Sequence, residues 1–337
     1  MWRRFSLRIE RGPAASRVRR SRRRLGGRGF STSVMDMFKT KTSAAALSVA
    51  SNSFLVATKV VVGLMTGSIS VLSEAAHSGV DLIAAIFAWA SVRMSSRPPD
   101  EGHPFGHGKF ESVSGTVEAV LIFVVAVLIF NGSVRELIRG PAIRSTDVGL
   151  LVMGVSALVN IFVSRLLFRV AAATDSIALE ADAQHLAADV YTSIGVFVGL
   201  LVVRLTGLRI LDPIVAILVG VLILRTAYGL TTKTLKELLD AKLPEPEKRR
   251  VELILSEHYR DFVGFHRFRC RKSGSTRHID LHLVVCRDRS VDAAHELCDH
   301  LESDIKSTIP SVSLTIHVEP CKIEADRCDE ECPERRA

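Results

Sequence analysis

The stretch that decides the fold class is AVLIFVVAVLIF, an unbroken apolar run at residues 119–130. It lies within a mainly apolar segment, residues 114–134, and a helix needs about 20 such residues to cross a membrane. Five further segments have comparable character, at residues 43–65, 69–93, 148–170, 185–205 and 210–230. A helix satisfies its backbone hydrogen bonds internally, as a bilayer requires. The sequence therefore predicts an α-helical membrane protein with six transmembrane helices.

Charged residues, 24% of the chain, are concentrated outside these segments, so we predict separate domains. We expect residues 37–230 to form a six-helix transmembrane domain, 231–244 a linker, and 245–320 a small α+β domain outside the membrane. In this last part, apolar periodicity indicates helices and strands in the order αββαβ. The helices are predicted at 245–258 and 291–308, and the strands at 263–272, 277–286 and 312–319.

The N-terminal extension, residues 1–36, is rich in arginine. Residues 1–34 contain eleven Arg, no Lys and one acidic residue, Glu10. Two interpretations stay open: a transit peptide, which is typically Arg-rich and acid-poor, or a true start at Met35 or Met37. The first implies a mitochondrial or other organellar membrane, and the second a bacterial plasma (inner) membrane. Nucleic-acid binding is disfavoured, because no aromatic interleaving or fold signature accompanies the charge.

The cysteines all lie beyond the predicted membrane segments, and none forms a Cys-x-x-Cys pair. They occupy positions 270, 286, 298, 321, 328 and 332. No disulfide framework is indicated, which fits a reducing compartment. We predict that residues 321–337 form a disordered tail, which contains Cys321, Cys328 and Cys332; a thiol metal scavenger at Cys328 and Cys332 is the less favoured alternative.

Two copies of a His-x-x-x-Asp frame interrupt the second and fifth apolar segments: His77 with Asp81, and His185 with Asp189. Residues four apart share one face of a helix. Two such faces supply two nitrogens and two oxygens, which suits a tetrahedral zinc-like ion. Ionisable groups at bilayer depth are costly and by default mark an ion or proton pathway. These four residues are therefore the predicted metal transport site.

Two further clusters contain metal-type ligands. Asp100, His103 and His107 lie in a Gly- and Pro-rich loop between the second and third segments. In the soluble domain, strand alternation places His317 and Glu319 on one face. The set predicted to bind metal there is His266, His282, His295, His317 and Glu319. His258, His278 and His300 fit no such pattern and are interpreted as ordinary surface residues.

From about residue 37 to Cys321 the chain resembles the cation diffusion facilitator family, zinc-effluxing transporters with a cytoplasmic metal-sensing domain. The resemblance rests on GSIS at 67–70, Ser73-x-x-x-His77-x-x-x-Asp81, His103-x-FGHGK-x-Glu111, His185-x-x-x-Asp189, Asp212-Pro213, Leu238-Leu239-Asp240, Gly264-x-His266, Arg271-x-Ser273-Gly274, His282, His295 and Ile316-His317-x-Glu319-Pro320. It implies the three metal sites above, a homodimer, and a charge interlock between Lys109 and Asp240 at the dimer junction.

Two positions depart from the family pattern. The first transport ligand is often Asp in the closest bacterial branch but is His77 here, and the last cytoplasmic ligand is usually Asp but is Glu319 here. Nitrogen ligands suit the softer metals, so His77 favours zinc or cadmium over manganese. The longer side chain of Glu319 can still reach two ions, although with a different geometry.

The predicted function is export of a divalent metal, Zn²⁺ first, in exchange for protons. Metal ligands must be deprotonated to bind, so metal binding expels protons. Alternative cargoes are Fe²⁺, Cd²⁺ and Mn²⁺, and a membrane-anchored metal sensor without transport is the rival function. No ATP-binding Gly-Lys-Ser/Thr loop and no His-Glu-x-x-His protease motif occurs, so the chain is not predicted to be an enzyme. Lys and Arg bias places both termini on the cytoplasmic (or matrix) side.

Overall fold

The structure, a computed structural model, describes residues 40–67, 69–139, 147–208 and 210–322. The predictions for the N-terminal extension and for Cys328 and Cys332 lie outside these residues.

Among the described residues, the part of the chain before Leu239 forms six long helices, each long and apolar enough to cross a membrane. They are α1 (Lys41–Thr66), α2 (Ile69–Ser95), α3 (Lys109–Arg139), α4 (Asp147–Thr174), α5 (Ile177–Thr206) and α6 (Leu211–Leu238). The predicted six-helix membrane domain is confirmed, and the protein is a multi-pass integral membrane protein.

The helices extend beyond the apolar segments that predicted them. Helix α5 begins at Ile177, whereas hydropathy predicted a start at residue 185. The predicted start is late because Glu180, Asp182 and Gln184 lower the hydropathy of the first turns, although they do not break the helix. Helix α6 continues to Leu238, so the first half of the predicted linker, residues 231–238, is helical. At 1.5 Å per residue these helices exceed the roughly 30 Å hydrocarbon core, and their ends reach past it.

The membrane helices pack mainly in the pairs α1 with α2, α3 with α6, and α4 with α5. Small side chains make close contact possible in such interfaces. Between α3 and α6, for example, Ala119, Ile122 and Ala126 are buried against Ile223 and Ala227. Helices α2 and α5, which contain the two His-x-x-x-Asp frames, also contact each other directly.

The C-terminal part has the predicted αββαβ order. Its elements are α7 (Glu245–Glu257), β1 (Gly264–Ser273), β2 (Thr276–Val285), α8 (Val291–Thr308) and β3 (Val312–Pro320). The sheet order is β1-β2-β3, antiparallel between β1 and β2 and parallel between β2 and β3. Both helices cover one face of the sheet; the buried core includes Val251, Leu255, Ile279, Leu281, Leu283, Leu301 and Ile305.

Candidate metal sites

The transmembrane cluster joins α2 and α5. Asp81, His185 and Asp189 each offer a ligand atom, and these atoms lie within 4.8 Å of one another. His185 Nε2 lies 3.1 Å from Asp81 Oδ1, and both residues are buried. Ligand atoms of a tetrahedral zinc site are about 3.4 Å apart when each is about 2.1 Å from the metal. The three side chains therefore match the donor types and spacing of a metal site.

His77 lies one turn before Asp81 and does not join the cluster within 4.8 Å. It lines a cavity of about 330 Å³ together with Asp81 and Asp189. On the same cavity, Lys59 donates to Glu74 Oε1 at 3.0 Å and to Ser78 Oγ at 2.7 Å. His77 thus lies on the cavity beside the cluster, and its place in the set of four ligands stays a prediction.

The three residues of the loop cluster lie close together. Asp100, His103 and His107 have ligand atoms within 4.8 Å. His107 is only 3% exposed, and its Nε2 lies 3.2 Å from Asp100 Oδ2. Its Nδ1 is buried without a hydrogen-bond partner among the described residues. The nitrogen that faces the carboxylate is therefore Nε2, and a histidine nitrogen beside a carboxylate is an arrangement that a metal ion can bridge.

The loop is fixed in shape and in position. The backbone N–H of His103 donates to Asp100 Oδ1 at 2.7 Å, and this bond lowers the pKa of the Asp100 carboxyl below its ordinary value. Gly108 contacts the turn between β1 and β2 so closely that a Cβ there would lie 2.3 Å from the Ser273 carbonyl oxygen. The loop cluster therefore sits at the contact between the membrane and soluble domains.

The cytoplasmic cluster lies on the sheet face opposite α7 and α8. The strand register pairs His266 with His282 and His282 with His317, so three imidazoles form a row across the sheet. Glu319 Oε1 accepts from His282 Nδ1 at 2.7 Å, and Glu319 Oε2 lies 3.4 Å from His266 Nε2. The hydrogen bond from His282 lowers the pKa of Glu319. His266, His282 and Glu319 form a group of potential ligands, and His317 is adjacent.

His295 is not brought to this group, contrary to the sequence interpretation. It lies on α8 beside Leu314, Ile316 and Val318, which face the helix. Strand alternation directs His317 to the opposite side of the sheet. Within the chain, the Nε2 atom of His295 lies 3.8 Å from Asp299 Oδ2 instead.

The predicted interlock residues are in contact within one chain. Lys109 Nζ lies 3.0 Å from Asp240 Oδ1, and Arg271 Nη1 lies 3.1 Å from the same oxygen. Partial burial tends to raise the pKa of Asp240, but the hydrogen bond from Lys109 and the charge of Arg271 outweigh it, and the pKa is lowered. The pair joins the start of α3 to the end of α6; its role at a dimer junction stays a prediction.

Several buried acids in the membrane domain were not identified from sequence as site residues. Glu111 is 0% exposed and accepts from Lys41 Nζ at 2.6 Å, from Ser95 Oγ at 2.5 Å and from Ser176 Oγ. Glu118 and Asp182 are also buried, and carboxylate oxygens of both have no hydrogen-bond partner among the described residues. Of these acids only Glu118 lies within a predicted apolar segment, where an acidic residue is a signal of function; Glu111 and Asp182 precede the segments predicted from hydropathy.

The soluble domain contains a second histidine group, which the sequence did not predict. His258, His300 and Asp304 also have ligand atoms within 4.8 Å of one another. His258 and His300 were interpreted as surface residues, because they are 42 positions apart in sequence and only the packing of α7 against α8 brings them together. His278, the third such residue, is half-buried and contacts Phe105 of the loop edge-on, with ring centroids 6.0 Å apart.

Comparison with known proteins gives a consistent result over both domains. The cation efflux transmembrane domain family matches residues 45–239, and the cytoplasmic domain of cation efflux proteins matches residues 243–321. The Zn form of CzrB, a candidate zinc transporter, is 38% identical, with a TM-score of 0.23; the match covers 23% of this chain and 90% of that one.

Two similar full-length relatives come from bacteria. The uncharacterized transporter sll1263 of Synechocystis is 34% identical over 256 residues, which are 76% of this chain and 83% of the relative. The cation-efflux pump FieF of Serratia proteamaculans is 31% identical over 281 residues, 83% of this chain and 93% of the relative. The chain therefore belongs to the cation diffusion facilitator family of cation efflux transporters.

Proposed function

We propose that this cation efflux transporter carries Zn²⁺ and exchanges it for protons, exporting the metal from the cytoplasm. The observation that carries the proposal is the buried group of Asp81, His185 and Asp189, whose members have ligand atoms within 4.8 Å. Nitrogen and carboxylate donors together suit zinc. The proposed transport site consists of these three residues and His77, which lines the same cavity.

Proton coupling follows from the chemistry of these ligands. A histidine binds metal only as neutral imidazole and a carboxylate only when ionised, so protons and metal compete for the same atoms. In the proposed cycle, zinc enters from the cytoplasm and displaces protons. A rearrangement of α2 against α5 then opens the site to the other side, where protons displace zinc.

The outer clusters have separate proposed roles. Asp100, His103 and His107 bind zinc at the junction of the two domains, with His107 Nε2, 3.2 Å from Asp100 Oδ2, as one of the donor atoms. His266, His282, His317 and Glu319 form a regulatory zinc site, because they line one sheet face around a shared carboxylate. Regulatory zinc alters transport only if it binds one conformation more tightly than the other. The soluble domain is the proposed homodimer contact, and both termini lie on the cytoplasmic side.

The test is zinc flux in proteoliposomes under an imposed pH gradient. Wild-type protein should move zinc in one direction and protons in the other, and Asp81→Ala or Asp189→Ala should stop both fluxes. Zinc–proton exchange that survives either substitution refutes the transport site. If wild-type protein binds zinc but moves no ion, the chain is a membrane-anchored sensor. Parallel assays with Fe²⁺, Cd²⁺ and Mn²⁺ test the alternative cargoes.

A further inference from the structure

The soluble domain contains a compact group of potential metal ligands on its helical side, opposite the histidine row of the sheet. His258 directly follows the last residue of α7, whereas His300 and Asp304 lie one turn apart on α8. His258 Nε2 is 3.3 Å and His300 Nε2 is 3.8 Å from the same atom, Asp304 Oδ2. The two rings meet edge-to-face, with centroids 5.1 Å apart. Two imidazoles therefore converge on one carboxylate oxygen.

The hydrogen bonding of His258 decides which of its nitrogens faces Asp304. Its Nδ1 lies 3.0 Å from the Ile254 carbonyl oxygen, which only accepts hydrogen bonds, so Nδ1 is the protonated nitrogen. In neutral imidazole the other nitrogen, Nε2, then presents a lone pair. That lone pair faces an acceptor-only carboxylate, a pairing that is favourable only with a cation between them. The cation is either a proton on His258 or a metal ion.

The position of His258 resembles that of a metal-ligating histidine. Such a histidine usually donates its second ring N–H to a carbonyl or carboxylate, which fixes the ring orientation. The His258 side chain is only 13% exposed and is held in this way by Ile254. His300 and Asp304 are 63% and 43% exposed and can adjust to an incoming ion. Separations of 3.3 and 3.8 Å are close to the roughly 3.4 Å expected between ligands of one tetrahedral ion.

We infer that His258, His300 and Asp304 form an additional site for a zinc-class divalent cation, separate from the sheet-face cluster. Two imidazoles and one carboxylate supply three ligands, and water completes the tetrahedron. Such a donor set favours Zn²⁺, Co²⁺ or Ni²⁺ over Mg²⁺, which prefers oxygen ligands. A bound ion would connect the C-terminal end of α7 to α8.

The first experiment is histidine carbethoxylation of the full-length protein in detergent, read peptide by peptide by mass spectrometry. Zinc should protect His300, and at a free zinc concentration about ten times the Kd the reactive fraction should fall to roughly a tenth. Magnesium at the same concentration should give no protection. Asp304→Asn should abolish the protection of His300. Asp304 is half-exposed, so this change should not prevent folding.

The matched control is Asp299→Asn, which changes an exposed aspartate on the same helix that is paired with His295. It should leave the protection of His300 intact. As a second readout, His300→Ala and Asp304→Asn should each lower the zinc content by one ion per chain, and Asp299→Asn should not. The site is refuted if zinc leaves His300 reactive, if Asp304→Asn retains the protection, or if the zinc content of the two variants equals that of the wild type.

Discussion

His185 Nε2 on α5 lies 3.1 Å from Asp81 Oδ1 on α2, so the two sequence frames meet in one cluster through ligands of different frames. Each frame also keeps its own His and Asp four residues apart on one helix face. A site shared in this way depends on the relative position of two helices. A movement of α2 against α5 would therefore change the distance between the candidate ligands, as the proposed alternating-access cycle requires.

The first prediction concerns cargo selectivity. Replacing the nitrogen ligand in His77→Asp should keep transport but lower the preference for Zn²⁺ over Mn²⁺, because oxygen ligands suit the harder ion. Competitive uptake of the two metals into proteoliposomes measures the ratio. Glu74→Gln, which alters an acid on the same cavity outside the proposed ligand set, is the control and should leave the ratio unchanged. An unaltered ratio in His77→Asp would show that His77 does not ligate the cargo.

The second prediction concerns the buried Glu111. Its carboxylate accepts from Lys41 on α1, Ser95 on α2 and Ser176 at the start of α5. Glu111→Ala leaves the lysine without its partner, and breaking a buried ion pair typically costs about 3–5 kcal/mol. We expect a large drop in the thermal unfolding temperature of the detergent-solubilised protein.

Glu180→Ala is the matched control for that experiment. Glu180 pairs with Lys233 at 2.5 Å, but the lysine side chain is 50% exposed. Removing such a pair should cost about 1 kcal/mol or less. Equal losses in the two variants would contradict a structural role for the buried Glu111 network.

The third prediction concerns the contact between the domains. A Cβ at position 108 would lie 2.3 Å from the Ser273 carbonyl oxygen, so Gly108→Ala must push the loop away from the β1–β2 turn. Overpacking of this kind costs about 1–3 kcal/mol. We expect normal secondary structure by circular dichroism but weaker zinc binding at the loop cluster, because the loop position holds His107. Gly102→Ala is the control: its Cβ would lie 3.5 Å from Asp100 Oδ1, an ordinary van der Waals contact, so this variant should behave as wild type.

The fourth prediction concerns acid sensitivity at the pair of Lys109 and Asp240. The pKa of Asp240 is lowered from its ordinary value of 3.8. A carboxyl group whose pKa is lower in the folded than in the unfolded protein stabilises the fold at pH values above the unfolded-state pKa. This stabilisation is lost as the pH falls through the folded-state pKa. Wild-type protein should therefore be more stable than Asp240→Asn at neutral pH, by up to about 1 kcal/mol for this partly exposed pair.

The difference between the two proteins should vanish well below pH 3.8. Asparagine is a suitable replacement because position 240 has a positive φ of 54°, which Asn tolerates. Thermal unfolding across the pH range measures the effect. A stability difference that persists at the acid end would assign it to packing and not to the ionised carboxyl group.

Much of the architecture was predictable, because membrane insertion and strand alternation leave periodic signals in the chain. The run at residues 119–130 indicated a spanning helix, and the apolar alternation at 277–286 indicated the strand that contains His282. The start of α5 was predicted late, at residue 185 and not Ile177. Hydropathy does not identify the start of a membrane helix whose first turns contain acidic residues, and Asp182 lies in the first turns of α5.

The amino-acid sequence by itself determined the number of spanning helices and the αββαβ order, and it identified the candidate ligands of the loop and of the two membrane frames, because each of these depends on neighbouring residues. Tertiary structure alone decided what depends on packing between distant elements. It brought His185 to Asp81, placed His295 behind the sheet, and joined His258 to His300 and Asp304. The physical reason is that residue spacing specifies a helix or strand face, whereas the partner of that face is chosen by the packing of the whole chain.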